Sequence, residues 1–299
     1  MRALVIGAGG QVGGVLLRAL AASGAEAVGT AHRSQSPGLT PLELTDDAAV
    51  RALVRSHRPD VIYLTAALTA VDYCEDHETE ARKINVEGPR CVAHTAREVG
   101  ARLVFYSTEY VFDGAAGPYG EDDPIAPQGI YARSKAAGEA AVRDEIDDHL
   151  ILRTTVVFGW DRASKNFAMQ VWGRLSAGEP MRVPSDQISN PTLADFLAEA
   201  SLGLVERGVR GETVNVVGQD RMPRTEFAIR LAQRLGLDDH LIEPITTVEL
   251  HQLAPRPLGA GLKTDKLERL LGASAITLDE ALDRFLARKG ADEAAHTRA

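Results

Sequence analysis

Residues 2–14, "RALVIGAGGQVGG", carry the clearest indication of the architecture. A short apolar run is followed at once by a glycine-rich turn, and this turn opens a stretch of helical length. Glycines let the backbone turn tightly and approach a ligand, and the unpaired N–H groups at the start of a helix favour a diphosphate. The order of strand, turn and helix therefore predicts a dinucleotide site around Gly7, Gly10 and Gly13.

The same alternation continues through the first half of the chain. The apolar runs are rich in Val, Ile and Leu and lack a two-residue period, which is typical of strands buried on both faces. Amphipathic stretches of helical length separate them. This order predicts an α/β fold with a Rossmann-type, doubly wound parallel sheet. The runs are RALVIG (2–7), EAVGT (26–30), DVIYLTAA (60–67), ARLVFYS (101–107) and LILRTTVVFG (150–159).

Beyond Gly159 the regular alternation ends, and helical patterns mix with short apolar runs. We interpret residues 1–158 as an NAD(P)-binding Rossmann domain and residues 159–288 as a smaller C-terminal substrate-binding lobe. Segments at about 190–218 are expected to return to the first domain. Residues 289–299, GADEAAHTRA with the Lys before it, are expected to form a disordered tail.

Charge and composition exclude several classes of function. A formal net charge of -9 opposes nonspecific binding to nucleic acid or to an anionic membrane surface. No apolar run reaches the length of a bilayer span or a signal peptide. Cys74 and Cys91 lie in no metal-ligand spacing and the histidines are scattered, so we expect free thiols, no metal and a cytoplasmic protein.

The end of the second predicted strand bears on the choice of cofactor. Folds that prefer NAD usually place an acid there for the ribose diol, but this strand reads AVGTAHRSQS (27–36). Thr30 stands near the acid's position, and His32 and Arg33 follow. A guanidinium suits a 2′-phosphate, so NADP is the preferred cofactor and NAD the second candidate. Alternatively, Arg33 is only a solvated loop residue.

Tyr131 and Lys135 in "IYARSKAAGE" (130–139) lie four residues apart, so both can face one cleft from one helix. Such a spacing also arises by chance. Here it follows the fourth strand, whose end offers Ser107 and Thr108, and parallel strands bind ligands at that edge. A phenol has a pKa of ~10, and a nearby ammonium group and a bound nicotinamide cation would lower it. Tyr131 and Lys135 are therefore candidates for proton transfer.

At this point the chain resembles the extended short-chain dehydrogenase/reductases, and among them the dTDP-4-dehydrorhamnose reductase family. The resemblance covers nearly the whole chain, because many motifs occur in the family's order. These are GAGGQVG (7–13), PDVIYLTAALTAVDYCE (59–75), INVEG (84–88), YSTEYVFDG (106–114), YARSKAAGE (131–139), LRTTVVFG (152–159), NF (166–167), DQISNPT (186–192) and RPLGAGL (256–262).

The resemblance implies the roles of individual residues. Tyr131 is the implied catalytic acid, Lys135 its pKa partner and ribose ligand, and Thr108 the hydroxyl that orients the substrate oxygen. Tyr131 and Lys135 are also implied cofactor ligands. Asn85 matches a recurrent family asparagine, although a buried helix Asn that satisfies backbone groups is an equal alternative. Further implied or expected cofactor contacts are Gly7, Gly10, Gln11, Val12, Thr30, His32, Arg33, Glu43, Leu44, Thr65, Ala66, Ala67 and Leu68.

The substrate half departs from the family pattern. Glu109 replaces the usual Asp, Val156 stands where the family has a Trp near the sugar, and Gly259 and Ala260 replace an amide and a hydroxyl. The redox chemistry is therefore better supported than the identity of the sugar. The last four of the expected substrate-lining residues could instead be surface or loop-bracing residues; the set is Thr108, Glu109, Val156, Asn166, Gln187, Asn190 and Arg256.

The leading hypothesis is a reductase in which NADPH reduces a ketone on a nucleotide-linked deoxysugar. A sugar-nucleotide dehydratase or epimerase is a second hypothesis, although Tyr110 stands where dehydratases carry a second acid. A third is a noncatalytic NADP-binding subunit similar to the regulatory beta subunit of methionine adenosyltransferase, which retains the same Tyr and Lys. The sequence is compatible with a monomer or a homodimer.

Overall fold

The computed structural model describes residues 1–32 and 38–297 of the chain. The helices within these ranges are α1 (Gln11–Ala22), α2 (Asp47–His57), α3 (Val71–Asp76), α4 (Glu78–Arg82), α5 (Gly88–Val99), α6 (Gly129–Glu145), α7 (Phe167–Ser176), α8 (Ala194–Glu206), α9 (Arg224–Leu235), α10 (Asp265–Leu271) and α11 (Leu278–Thr297). A π-helix (Lys83–Glu87) joins α4 to α5, and two short 3-10 helices cover Glu109–Val111 and Asp239–Leu241.

The strands are β1 (Arg2–Ile6), β2 (Glu26–Ala31), β3 (Thr40–Pro41), β4 (Val61–Leu64), β5 (Arg102–Thr108), β6 (His149–Thr154), β7 (Val157–Phe158), β8 (Met181–Pro184), β9 (Ile188–Ser189), β10 (Thr192–Leu193), β11 (Glu212–Asn215), β12 (Met222–Pro223) and β13 (Ile242–Ile245). Seven of them form one sheet in the order β11-β6-β5-β4-β1-β2-β3, and every pairing in it is parallel. The α/β, Rossmann-type prediction is confirmed.

The central strands are buried on both faces, as their unbroken apolar runs predict. Every residue of β4 and of β5 is buried. On one face the core includes side chains of α1 and α8, and on the other face side chains of α2 and α5. Because the strands are parallel, their carboxyl ends meet at one edge of the sheet, which is where the site described below lies.

The second half of the chain packs against the first and shares its core. β11 forms the sheet edge beside β6, with Val214 opposite Leu152. Phe158 lies 5.0 Å from the ring of Phe227 and 5.9 Å from that of Phe285, and all three belong to the core on the α1 side of the sheet. These contacts agree with the prediction that segments of the second half return to the first domain. The division of the chain at residue 158 stays an interpretation.

The end of the chain differs from the expected disordered tail at 289–299, because α11 continues to Thr297. Side-chain contacts explain the longer helix. Asp292 accepts hydrogen bonds from Trp160 Nε1 at 3.1 Å and from Arg162 Nε at 2.6 Å, and Lys289 forms an ion pair with Glu293 one turn along. A helix tied down in this way does not fray as an unattached terminus does.

The composition predicted free thiols and no membrane-spanning segment. Cys74 and Cys91 are both free and buried. None of the helices in the described ranges has the length and apolar character needed to cross a bilayer.

Candidate active site

A cavity of about 1780 Å³ lies along the carboxyl ends of the sheet strands. Its walls include the turn after β1, the ends of β2, β4, β5 and β6, and one face of α6. Residues from the second half of the chain, among them Ser164, Asn166 and Arg224, complete the lining. We call this cavity the cleft.

The glycine turn leaves no room for a side chain at Gly7 or at Gly13. Gly7 has a φ of +99°, and a Cβ added there would lie 2.6 Å from the backbone nitrogen of Ala66. A Cβ on Gly13 would lie 2.3 Å from the carbonyl oxygen of Gly7. The turn therefore brings bare backbone and the first residues of α1 to the cleft, which is the arrangement that suits a dinucleotide diphosphate.

The residues expected to contact the cofactor line the cleft wherever the structure describes them. Arg33 lies outside the described residues, so its predicted role stays a prediction. His32 Nδ1 lies 2.6 Å from Glu43 Oε2, and Thr30 Oγ1 accepts a hydrogen bond from the Gly7 backbone. The lining set is Gly7, Gly10, Gln11, Val12, Thr30, His32, Glu43, Leu44, Thr65, Ala66, Ala67 and Leu68.

The buried cleft-lining atoms that have no hydrogen-bond partner among the described residues include Gln11 Nε2 and Thr154 Oγ1. An unpaired buried polar group costs free energy, so such atoms favour a polar ligand beside them. An NADP molecule offers phosphate, ribose and amide groups. The residues present therefore fit this cofactor.

Tyr131 and Lys135 lie on the buried face of α6 and both line the cleft. Their exposed fractions are 8% and 3%. Lys135 Nζ donates a hydrogen bond of 2.7 Å to the carbonyl oxygen of Tyr106 and lies 4.2 Å from the centre of the Phe105 ring. Thr108, at the end of the same strand, also lines the cleft, so the implied catalytic residues share one wall.

Burial dominates the acid–base properties of this pair. It raises the pKa of the Tyr131 phenol above its ordinary value, while the Thr108 hydroxyl acts in the opposite direction. Burial also lowers the pKa of Lys135 to about 8, against the attraction of the Glu139 carboxylate. The protein alone thus keeps the phenol protonated, and the lowering expected from a nicotinamide cation would act only with the cofactor bound.

Asn85 connects the cofactor wall to α6. Its amide pairs with both backbone groups of Leu68, accepting from the nitrogen at 2.9 Å and donating to the oxygen at 3.0 Å. It also donates to Ser134 Oγ at 3.0 Å, and Ser134 in turn bonds the carbonyl oxygen of Tyr131. The alternative that Asn85 satisfies backbone groups therefore agrees with its contacts, and the backbone concerned lines the cleft.

Of the residues expected to contact substrate, Thr108, Val156 and Asn166 line the cleft. Val156 has a φ of +40°, which is unusual for a β-branched residue and indicates backbone strain. Asn166 caps α7, because its Oδ1 accepts from Met169 N at 3.2 Å. Its Nδ2 donates to the carbonyl oxygen of Gly159 at 3.0 Å.

The other four expected substrate residues, Glu109, Gln187, Asn190 and Arg256, are not among the lining residues and instead brace the protein. Gln187 bonds the side chains of Thr247 and Gln252. Arg256 forms an ion pair with Asp72 at 2.9 Å. We therefore reinterpret them as structural residues, because their polar groups are already satisfied by protein partners.

Glu109 and Asn190 hold the segment that departs from the family pattern at Gly259 and Ala260. Glu109 is only 3% exposed; one carboxylate oxygen accepts from Gly261 N at 2.9 Å and the other from Thr155 Oγ1. Asn190 Oδ1 accepts from Leu262 N at 2.9 Å. Burial raises the pKa of Glu109 to about 7, although its hydrogen bonds oppose this change.

Sequence reasoning missed five polar residues of the cleft wall from residue 150 onward: Thr154, Thr155, Ser164, Lys165 and Arg224. Arg224 is the first residue of α9, and its guanidinium carbon lies 5.2 Å from the centre of the Phe167 ring. The sequence around Arg224, MPRTEF (222–227), resembles the start of an ordinary helix, so the sequence alone does not indicate a binding role for Arg224. Thr155 could have been found from its place after β6, at the ligand-binding edge of the sheet.

Comparison with known proteins supports the resemblance. The family model of the RmlD substrate binding domain matches residues 1–290. The chain is 35% identical over 261 residues to a dTDP-4-dehydrorhamnose reductase of Mycobacterium tuberculosis, covering 85% of this chain and 82% of the relative. It is 34% identical over 289 residues to a probable low-salt glycan biosynthesis reductase of Haloferax volcanii, covering 94% and 96%.

A solved structure also agrees along nearly the whole chain. The crystal structure of dTDP-4-dehydrorhamnose reductase from Bacillus anthracis in complex with NADP superposes with a TM-score of 0.88 at 29% identity, covering 96% of this chain and 99% of that one. Fold, motif order and sequence identity therefore agree, and the chain belongs to the RmlD substrate binding domain family, the family of the dTDP-4-dehydrorhamnose reductases.

Proposed function

We propose that this protein is an NADPH-dependent reductase of a nucleotide-linked 4-keto-6-deoxysugar. The observation that carries the proposal is the placement of Tyr131 and Lys135, buried side by side on α6 and facing a dinucleotide cleft. Relatives over most of the chain are named reductases, which supports the same chemistry.

The first half of the chain would hold the cofactor. The glycine turn and the start of α1 suit the diphosphate, and the small side chains at 65–67 let a flat ring lie near the end of β4. His32 and Arg33 favour the 2′-phosphate of NADP, with NAD as the second cofactor. When bound, the reduced nicotinamide supplies a hydride to the ketone carbon of the substrate.

Tyr131 would complete the reduction by giving its proton to the oxygen of the former ketone. Its raised pKa keeps that proton in place before the reaction. The Thr108 hydroxyl orients the same oxygen by a hydrogen bond, and a charged Lys135 stabilises the phenolate that remains. Lys135 is held for this role by its hydrogen bond to Tyr106.

The sugar would occupy the part of the cleft beside Thr108, Val156 and Asn166. This placement agrees with residues 159–288 as the substrate lobe, to which Asn166 belongs. We propose that the enzyme works in the cytoplasm, since both of its buried thiols are free. Its proposed assembly state is a monomer or a homodimer.

The dehydratase or epimerase hypothesis is weaker than the reductase. Elimination needs acids that face the sugar, but Glu109 is not among the lining residues, and its carboxylate accepts hydrogen bonds from Gly261 N and Thr155 Oγ1. The noncatalytic subunit has no specific observation in its favour, whereas the relatives compared here carry the names of reductases.

The proposal is tested by following NADPH absorbance with purified protein and a panel of dTDP-4-dehydro-6-deoxysugars. We expect steady oxidation with at least one of them and slower oxidation with NADH. Conversion of a dTDP-hexose without net NADPH loss would support a dehydratase or epimerase. Tight NADPH binding with no oxidation by any nucleotide ketosugar would contradict the reductase and favour the binding subunit.

A further inference from the structure

Arg224 has a guanidinium group whose polar capacity the protein does not satisfy. Its Nε is buried and has no hydrogen-bond partner among the described residues. Within the same ranges, no carboxylate lies within ion-pair distance of it, although many other arginines have such partners. A buried N–H of a charged group without an acceptor is costly, so this group is suited to a ligand that brings an acceptor.

The surroundings hold Arg224 in place at the cleft. Its backbone nitrogen donates to the carbonyl oxygen of Gln187 at 2.9 Å, and the next residue, Thr225, bonds the carbonyl oxygens of Val183 and Pro184. The guanidinium carbon lies 5.2 Å from the Phe167 ring centre. The backbone at Arg224 is thus fixed and Phe167 limits where its side chain can lie, which reduces the freedom lost when a ligand binds.

Arg224 lines the cleft but is not among the residues assigned to the cofactor. The residues assigned to the cofactor all lie within the first 135 positions, whereas Arg224 comes from α9. Its positive charge nevertheless acts on the strand end that bears Thr108: burial raises the pKa of both Glu109 and Tyr110, and Arg224 opposes that rise. The guanidinium therefore belongs to the part of the cleft wall that is left for the substrate.

We infer that Arg224 binds the diphosphate of the nucleotide-linked substrate. A guanidinium matches the paired oxygens of a phosphate group and stays charged at all working pH values. A local cation is needed because the chain carries a net charge of -9, which repels a diphosphate at longer range. Lys165 also lines the cleft and is exposed, so it adds a second, weaker positive charge for the same group.

This inference rests on the proposed function, because it needs a nucleoside diphosphate as part of the substrate. The probe is therefore dTDP, which carries the diphosphate and lacks the sugar. Its binding is measured by calorimetry without any turnover. Thymidine, which has no phosphate, serves as the uncharged comparison, and NADPH binding reports on the cofactor half and on folding.

The variants are Arg224→Met and Arg224→Lys, with Arg230→Met as the matched control. Arg230 lies on the same helix, pairs with Glu226 on the surface and is not among the lining residues. We expect Arg224→Met to weaken dTDP binding by about 10-fold to 100-fold, which is the range for charge-assisted hydrogen bonds. Arg224→Lys should be intermediate, and NADPH affinity should stay within about twofold in all three variants.

Several outcomes would overturn the inference. One is unchanged dTDP affinity in Arg224→Met while NADPH still binds. Another is an equal loss of NADPH affinity, which would assign Arg224 to the cofactor. If the unaltered protein binds dTDP through Arg224 yet reduces no ketosugar, the diphosphate site stands and the proposed reductase fails. If the unaltered protein does not bind dTDP at all, both proposals fail.

Discussion

The amino group of Lys135 donates a hydrogen bond of 2.7 Å to the backbone oxygen of Tyr106, two residues before Thr108 on β5. This bond fixes the long lysine side chain between the helix that bears Tyr131 and the strand that bears Thr108. Because all three residues line the cleft, it also sets where a positive charge can stand beside the phenol. The acid–base behaviour of the site depends on this contact.

The buried lysine should make the protein less stable than a neutral side chain would. Burial lowers the pKa of Lys135 from its ordinary 10.5 to about 8, so the unfolded chain binds more protons between these two pH values. The destabilisation by the buried charge has its full size below about pH 8 and disappears above about pH 10.5. We expect Lys135→Met to raise the free energy of unfolding at pH 7 by at most about 3 kcal/mol.

Urea unfolding of both proteins at a series of pH values checks this expectation. The gain of Lys135→Met should shrink steadily between pH 8 and 10.5, and its reductase activity should be largely lost. A stability difference that is independent of pH over this range would contradict a depressed lysine pKa.

Glu109 should also make the stability of the protein depend on pH, with a sign opposite to that of Lys135. Its pKa is raised from 4.5 to about 7, so the folded protein binds more protons between these values and stability falls as pH rises through them. Glu109→Gln keeps acceptor and donor capacity toward Gly261 and Thr155 but cannot ionise. We expect the stability of the variant, measured by thermal unfolding, to increase relative to that of the parent protein as the pH rises from 4.5 to 7.

The matched comparison for Glu109 is Glu109→Ala, which removes both hydrogen bonds. It should be less stable than the parent protein at every pH, since the Gly261 nitrogen is left without its partner. Equal pH dependence in Glu109→Gln and the parent protein would show that the carboxyl group titrates normally.

Asn85 should act on the cofactor half of the cleft. Replacing it with Ala leaves both backbone groups of Leu68 without partners and costs about 1–3 kcal/mol per buried group left unpaired. Since Leu68 lines the cleft, we expect the KM for NADPH to rise more than the KM for the nucleotide sugar. Steady-state kinetics with each substrate varied in turn measure this split, and equal changes would indicate a purely structural role.

The glycine turn offers a test with a control one residue away. Gly13→Ala would put a methyl group 2.3 Å from the Gly7 oxygen, so we expect weaker NADPH binding and a loss of roughly 1–3 kcal/mol of stability. At Gly14 the nearest atom is 3.4 Å from an added Cβ, and Ala favours the helix. Gly14→Ala should therefore bind NADPH normally; similar losses in both variants would contradict the turn geometry described here.

The elements that sequence predicted well are those whose patterns depend on local burial. The apolar runs that became β1, β4, β5 and β6 are almost entirely buried, and the need to bury both faces is visible in their composition. The Tyr131–Lys135 spacing likewise follows from helical periodicity, because residues four apart share a face. Neither prediction needed knowledge of distant contacts.

The polar residues of the second half were less predictable, because their partners lie far away in sequence. Arg256 meets Asp72, and Gln187 meets Thr247 and Gln252. Nothing in the spacing of these residues distinguishes a brace from a ligand. The π-helix at Lys83–Glu87 could not be predicted either, because its sequence also suits an ordinary α-helix.

Tyr131 is the proposed proton donor in the reduction of a nucleotide-linked ketosugar, and the proposed function depends on this role. The most direct measurement is the single-turnover rate of NADPH oxidation by a reactive dTDP-4-dehydro-6-deoxysugar, compared between the parent protein and Tyr131→Phe. We expect a fall of about 10²-fold to 10⁴-fold, with NADPH affinity unchanged. A rate within about threefold of the parent protein, at equal cofactor occupancy, would contradict the assignment.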